Sequence, residues 1–313
     1  MGTANETVLM EFILVGLSNH PQAQVAFFAL LLVTYLLTLL GNGLIIVLIW
    51  TDSQLHTPMY FFLSNLSFLD LCYTATSVPQ ALANCFKKRP TITFANCYTQ
   101  MTVSLYLGVT ECLLLAVMAY DRFVAICNPL RYPIVMSGKV CMQMAVGVWA
   151  SAFFLTAIVT FAFPLQFCGT NIINHFTCEA LAILKLACSD THITRIVMFG
   201  SSVLTLLVPF IFILVTYVRV GMAVLRIHSA QGRSKAVSTC GSHLVVVSIF
   251  YGTAMSMSIR PQTKSASDQD KLVSVFYGAV TPMLNPLIYS LRNKDVRGAL
   301  RRVSGREMLI SSP

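Results

Sequence analysis

The sequence predicts an all-α membrane protein, a seven-transmembrane helix bundle with a short amphipathic helix after the last span. Three observations carry this. Of 313 residues, 56% are hydrophobic and only 11% charged, against roughly 25% charged in a soluble domain, so polar side chains are too few to cover a water-soluble globule. Seven apolar runs reach the length of about 20 residues that a helix rising about 1.5 Å per residue needs to cross about 30 Å of hydrocarbon. Basic residues are also unequally distributed. The side holding the loops after spans one, three and five and the C-terminal tail carries 13 Lys/Arg, the other side eight. The positive side is expected to be cytoplasmic, with the N-terminus outside and the protein in the plasma membrane.

The N-terminal tail, residues 1–24, has no basic stretch followed by an apolar run, so no cleavable signal peptide is expected. Glu6 stands where myristoylation needs Ser or Thr. Asn5-Glu6-Thr7 is a glycosylation sequon on the exterior tail, with Asn5 the acceptor. The bundle, residues 25–291, reads as spans near Val25 to Trp50, Pro58 to Phe86, Ala95 to Ile126, Val140 to Pro164, Ile193 to Ile227, Ala236 to Ile259 and Leu272 to Leu291. A second sequon, Asn65-Leu66-Ser67, falls inside a span and is a chance match. Lys87-Lys88-Arg89 lies outside against the trend without overturning it. No internal repeat is visible, and an odd span count argues against the duplicated halves of many transporters. In the tail, residues 292–313, Val296, Ala299, Leu300 and Val303 fall at helical spacing among Lys294, Arg297, Arg301 and Arg302. That pattern predicts a basic amphipathic helix on inner-leaflet lipid; the competing reading is a disordered basic tail.

Ionisable groups are costly inside a membrane, so Asp70 and Glu111 are functional candidates. Counted from the cytoplasmic ends of their helices, Asp70 lies roughly 18 Å deep and Glu111 roughly 16 Å. Asn42 and Asn285, roughly 10 to 12 Å deep, extend the same polar layer. Two carboxylates so close cannot both stay charged without a cation or a proton between them, and a bound sodium ion meets that need. The competing reading is plain helix-to-helix hydrogen bonding. Glu111 and Arg122 are three turns apart on one face of span three, linking mid-membrane to cytosol. At its inner end, Asp121 beside Arg122 forms either a releasable switch or an interfacial anchor.

Of ten cysteines, Cys97, Cys168, Cys178 and Cys188 fall in exterior segments, where oxidation is permitted. Four cysteines allow three pairings. Joining Cys97, at the top of span three, to any cysteine of the long loop from Gln166 to Thr191 would draw that loop over the bundle mouth as a lid. Zinc binding through His175 and nearby cysteines is the rival, but no CxxC spacing supports it.

Four strings stand in order along the chain: Leu55-His56-Thr57-Pro58-Met59-Tyr60, Met118-Ala119-Tyr120-Asp121-Arg122 through Ile126-Cys127, Lys235-Ala236-Val237-Ser238-Thr239-Cys240, and Pro282-Met283-Leu284-Asn285-Pro286-Leu287-Ile288-Tyr289. Together they resemble the vertebrate odorant receptors, of the tetrapod-type subgroup, within the rhodopsin-like G-protein-coupled class. The resemblance implies disulfides Cys97 with Cys178 and Cys168 with Cys188, and a sodium site at Asp70, Glu111 and Asn285. It implies communication of Asp121-Arg122 with Tyr217, His243 and Tyr289 when the cytoplasmic side opens. Tyr251-Gly252-Thr253 replaces the Trp and Pro of most rhodopsin-like receptors, itself typical of odorant receptors. Gly200-Ser201-Ser202-Val203-Leu204 lacks the Ser-Tyr pair that many family members carry there.

The outer half of span three presents Met101, Ser104, Leu105, Gly108, Val109 and Cys112 at helical spacing, an uncharged face that suits a small, mostly apolar guest. By resemblance, Ser202, Thr205, Leu206, Tyr251, Met255, Val275 and Gly278 complete a ligand pocket; core packing is the competing reading for each. A buried ammonium would need a counter-ion, and Ser104 stands where an amine receptor carries Asp. A retinal Schiff base would need a Lys inside span seven, and Lys271 lies at its outer edge. The expected function is an odorant receptor that binds a small volatile and raises cyclic AMP through an olfactory-type stimulatory heterotrimeric G protein. No enzyme activity, nucleic-acid partner or cofactor beyond sodium is expected; the rival is a proton-coupled transporter using Asp70 and Glu111.

Overall fold

The computed structural model describes residues 11–17, 21–162, 167, 171–188, 191–226, 229–259, 268–292 and 294–310. Five spans are α1 (Pro21–Thr51), α2 (Pro58–Asn84), α3 (Phe94–Cys127), α5 (Gly138–Phe161) and α9 (Ala230–Ile259). The other two are compound. One runs through α7 (His192–Ser202) and α8 (Val208–Leu225), the other through α10 (Asp268–Val275) and α11 (Thr281–Arg292). Six spans are long and apolar enough to cross a membrane. The remaining one, α2, has 27 residues with Asp70 near its centre and packs against α1, α3 and α5. Short helices α4 (Tyr132–Val135) and α6 (Ala180–Leu184) lie in connections, and α12 (Lys294–Ile310) comes after the last span.

Hydrocarbon offers no partner for a free N–H or C=O, which is why every crossing segment is helical. Pro21 opens α1 four residues ahead of the Val25 start expected from apolarity, because a proline at the first helical position gives up no internal bond. Leu36, Leu40, Phe154 and Leu225 point outward, while Leu63, Leu66, Leu114, Leu115, Val246 and Phe250 fill the middle of the bundle.

Both compound spans are interrupted by a π-helical turn, Val203–Leu207 and Phe276–Val280. Val208 N–H bonds to Val203 C=O, and Thr281 N–H to Phe276 C=O, five residues back in each case. Each turn stands just ahead of a proline, Pro209 or Pro282. Proline lacks an N–H, and its ring crowds the carbonyl four residues earlier, so the wider turn relieves both at once.

At one end of the bundle three short strands meet: β1 (Glu11–Leu14), β2 (Thr91–Thr93) and β3 (Ile172–Ile173), in the order β2-β1-β3. Strand β1 runs antiparallel to β2, with Phe12 opposite Ile92, and parallel to β3, with Leu14 opposite Ile173. Phe12 and Leu14 are buried with Ile92, Met101 and Ile173 around the Cys97–Cys178 disulfide. At the other end, α12 is tied to the first loop by Arg302, whose Nη2 lies 2.6 Å from Asp52 Oδ2, and to α2 by Tyr60, whose hydroxyl donates to Asp295 at 3.2 Å.

Candidate functional site

The disulfide end holds a cavity of about 300 Å³. Ten of the thirteen expected pocket residues line it: Met101, Ser104, Leu105, Gly108, Val109, Cys112, Ser202, Thr205, Leu206 and Gly278. Thr205 and Leu206 sit in one π turn, and Tyr277 and Gly278 in the other, so both irregular turns open onto the same space. At Gly108 an added Cβ would lie 3.2 Å from the Tyr277 hydroxyl, and its absence lets that ring reach the wall.

The other three lie elsewhere. Tyr251 is buried beneath the cavity, its hydroxyl donating to the Cys112 carbonyl at 3.2 Å. Met255 packs against the central core, and Val275 joins Phe27, Leu31 and Val78. Helical spacing on α3 gave no sign of α5, which contributes Leu155, Thr156 and Val159, nor of the loop residues Phe176, Thr177 and Glu179. Thr156 and Val159 are three apart in a helix, a spacing that could have revealed them; the loop residues had no such signal.

The loop is fastened from below. Cys97 and Cys178 are bonded with Cα atoms 5.4 Å apart. Gln100 accepts from Cys178 N–H at 3.0 Å and donates to Thr76 C=O at 3.0 Å, fixing the lid to α3 and α2 together. Cys188 is disulfide-bonded, and Cys168, its expected partner, lies outside the described residues, as does Asn5. His175 takes the Thr177 N–H on Nδ1 at 3.1 Å, and its Nε2 lies 3.6 Å from Glu179. Glu179 in turn accepts from the Ser274 hydroxyl at 2.6 Å, joining the lid to the last span.

Below Tyr251 comes the polar layer. Asp70, Glu111, Asn42 and Asn285 are all buried. The Asn285 amide donates to both Asp70 oxygens, at 3.0 and 3.3 Å, and the Asn42 amide to Pro282 C=O at 3.0 Å. That carbonyl has no helical donor of its own, because the residue four positions on is Pro286, which lacks an N–H. Glu111 Oε1 and Asn42 Oδ1 have no hydrogen-bond partner among the described residues. No group of three or more His, Cys, Asp or Glu is gathered for a metal ion among them. The unpartnered Glu111 oxygen lies in the same buried layer as Asp70.

The end away from the disulfide is closed. Arg122 Nη2 lies 3.6 Å from Asp121, whose other oxygen accepts from the Tyr132 hydroxyl at 2.8 Å. Tyr217 Oη and His243 Nδ1 are 2.6 Å apart, their rings stacked. The Tyr289 hydroxyl and Arg122 Nη2 are buried without a hydrogen bond among the described residues. Phe123, Ile126 and Cys127 of α3 pack with Val220, Val224 and Cys240, so α3, α8 and α9 meet and seal this end. Trp149 Nε1 donates to Asn65 Oδ1 at 3.2 Å, giving the sequon-like Asn65 a structural role.

Residues 31–306 match the family model described as olfactory receptor. The chain is 56% identical to Olfactory receptor 13H1 of Homo sapiens over 303 residues, covering 97% of this chain and 98% of that protein. It is 49% identical to Olfactory receptor 13C9 of Homo sapiens over 309 residues, covering 96% and 97%. Among solved structures, squid rhodopsin superposes with a TM-score of 0.74 at 18% identity, covering 94% of this chain and 89% of that one, a likeness of fold alone. The match spans the bundle from the first span to the helix after the last, and the chain belongs to the olfactory receptor family of seven-transmembrane G-protein-coupled receptors.

Proposed function

We propose that a small, mostly apolar volatile binds in the cavity under the lid, and that its binding favours an arrangement in which the Arg122 end opens to a stimulatory G protein that raises cyclic AMP. One observation carries this reading: the Tyr251 hydroxyl joins α9 to the Cys112 carbonyl of α3 at the base of the cavity. Cys112 lines the cavity and Tyr251 packs on Phe250, another lining residue. A guest that fills the space therefore presses on the contact that holds the two helices together.

An odorant works here only through its differential affinity for two states. In the closed state Phe123, Ile126 and Cys127 occupy the space a transducer would need, and Arg122 stays with Asp121. In the open state Arg122 leaves Asp121, and the Tyr217–His243 pair separates to let α9 move. Sodium between Asp70 and Glu111 would balance their charge and favour the closed state. The disulfide end faces outward and the Arg122 end the cytosol, in keeping with the basic bias of the tail. Residues 1–24 then form the exterior tail, glycosylated at Asn5, residues 25–291 the bundle, and residues 292–313 a lipid-facing helix and tail.

The test is cyclic AMP evoked by a broad volatile panel in cells expressing the chain. The expected result is a response abolished by Arg122→Ala at unchanged surface level. A surface-expressed receptor that answers no volatile, or one indifferent to Arg122→Ala, refutes the reading.

A further inference from the structure

A second cavity, of about 240 Å³, lies at the disulfide end between β1, α1, α2 and the turn after α2. Leu14, Phe27, Ala81 and Phe176 form its apolar wall. Phe176 also lines the first cavity, so the two spaces share one ring as partition. That ring is held edge-on by Phe27 at 5.4 Å and stacked on His175 at 4.5 Å.

The polar side of the cavity is built from Gln24, Asn84, Lys87 and Lys88. Both polar atoms of the Asn84 amide are buried with no hydrogen-bond partner among the described residues. A buried amide left in that condition is costly, and a ligand oxygen that accepts from its Nδ2 recovers the donor's share of the loss. Two ammonium groups border the space, and none of the described lining residues is Asp or Glu. Apolar on one side and cationic with an unsatisfied amide on the other, the cavity is complementary to a small amphiphilic anion.

We propose that this cavity binds a short-chain monocarboxylate arriving from the aqueous side. Its carboxylate accepts from Asn84 Nδ2 and from the Lys87 and Lys88 ammonium groups, and its chain lies against Phe27, Ala81 and Phe176. The proposal does not depend on the first cavity taking an odorant.

The experiment titrates hexanoate into the purified full chain in phosphatidylcholine nanodiscs. Saturable binding is expected, with about fourfold gain per methylene from butanoate to hexanoate. The exposed-residue double variant Lys87→Gln/Lys88→Gln is expected to bind about tenfold more weakly. Filling the first cavity with Ser104→Trp leaves hexanoate affinity unchanged. An affinity indifferent to the lysine pair, or lost in Ser104→Trp, overturns the proposal, the latter by placing the carboxylate in the first cavity. Binding lost when the nanodiscs contain phosphatidylserine also overturns it, in favour of a lipid headgroup.

Discussion

The hydroxyl of Tyr251 donates to the backbone carbonyl of Cys112 at 3.2 Å, a direct tie between α9 and α3. Both residues are buried, and the tie sits between the cavity and the polar layer. A typical net hydrogen bond contributes about 1 kcal/mol, equivalent to roughly a fivefold shift between two states. Tyr251→Phe keeps the ring and removes the donor. Its expected effect is ligand-independent cyclic AMP raised on the order of fivefold, measured at matched surface level; basal output at or below wild type contradicts the role given to this bond.

Gly41 tests the joint between the first and last spans. A Cβ there would lie 2.9 Å from Pro286 Cγ and 3.1 Å from Pro286 Cβ, atoms of a rigid ring. One residue on, Asn42 donates to Pro282 C=O across the same interface. Gly41→Ala is expected to destabilise the bundle by about 1–3 kcal/mol, as overpacking does. Thermal unfolding in detergent reads this as a lower midpoint, and an unchanged midpoint would mean that the two spans separate freely.

The polar layer makes a separate prediction. If sodium joins Asp70 to the unpartnered oxygen of Glu111, sodium chloride stabilises the purified receptor more than choline chloride does at equal ionic strength. Glu111→Gln is expected to abolish that difference by removing half of the anionic pair. Equal stability of the wild-type protein in both salts argues for hydrogen bonding alone.

The bundle was legible because hydrocarbon imposes one rule on every crossing segment, and apolar runs report it directly. The face of α3 was legible for the same reason, since Met101 to Cys112 is a regular helix. The sheet was not. Phe12, Ile92 and Ile173 are distant in sequence, and their pairing depends on the disulfide and the lid. The resemblance implies Val275 and Met255 at the cavity, but both pack in the apolar core, while Tyr277 and Ala254 line the wall. Span seven carries a π turn at Phe276–Val280, and the wider turn brings Tyr277 and Gly278 to the wall out of regular helical register. Glu179 comes from a loop whose path sequence periodicity does not describe, and it brings a carboxylate to a cavity that α3 alone made look uncharged.

If an apolar guest in the cavity drives signalling at the far end of the bundle, filling the cavity must blunt the response. Ser104 lines that cavity and is only partly buried, so Ser104→Trp fills the space with an indole. The most direct measurement is the concentration–response curve of cyclic AMP to an activating volatile, in cells bearing wild type or Ser104→Trp at equal surface level. The expected response in the filled receptor is reduced at least about tenfold in potency or lost; an undiminished curve would place the activating volatile elsewhere.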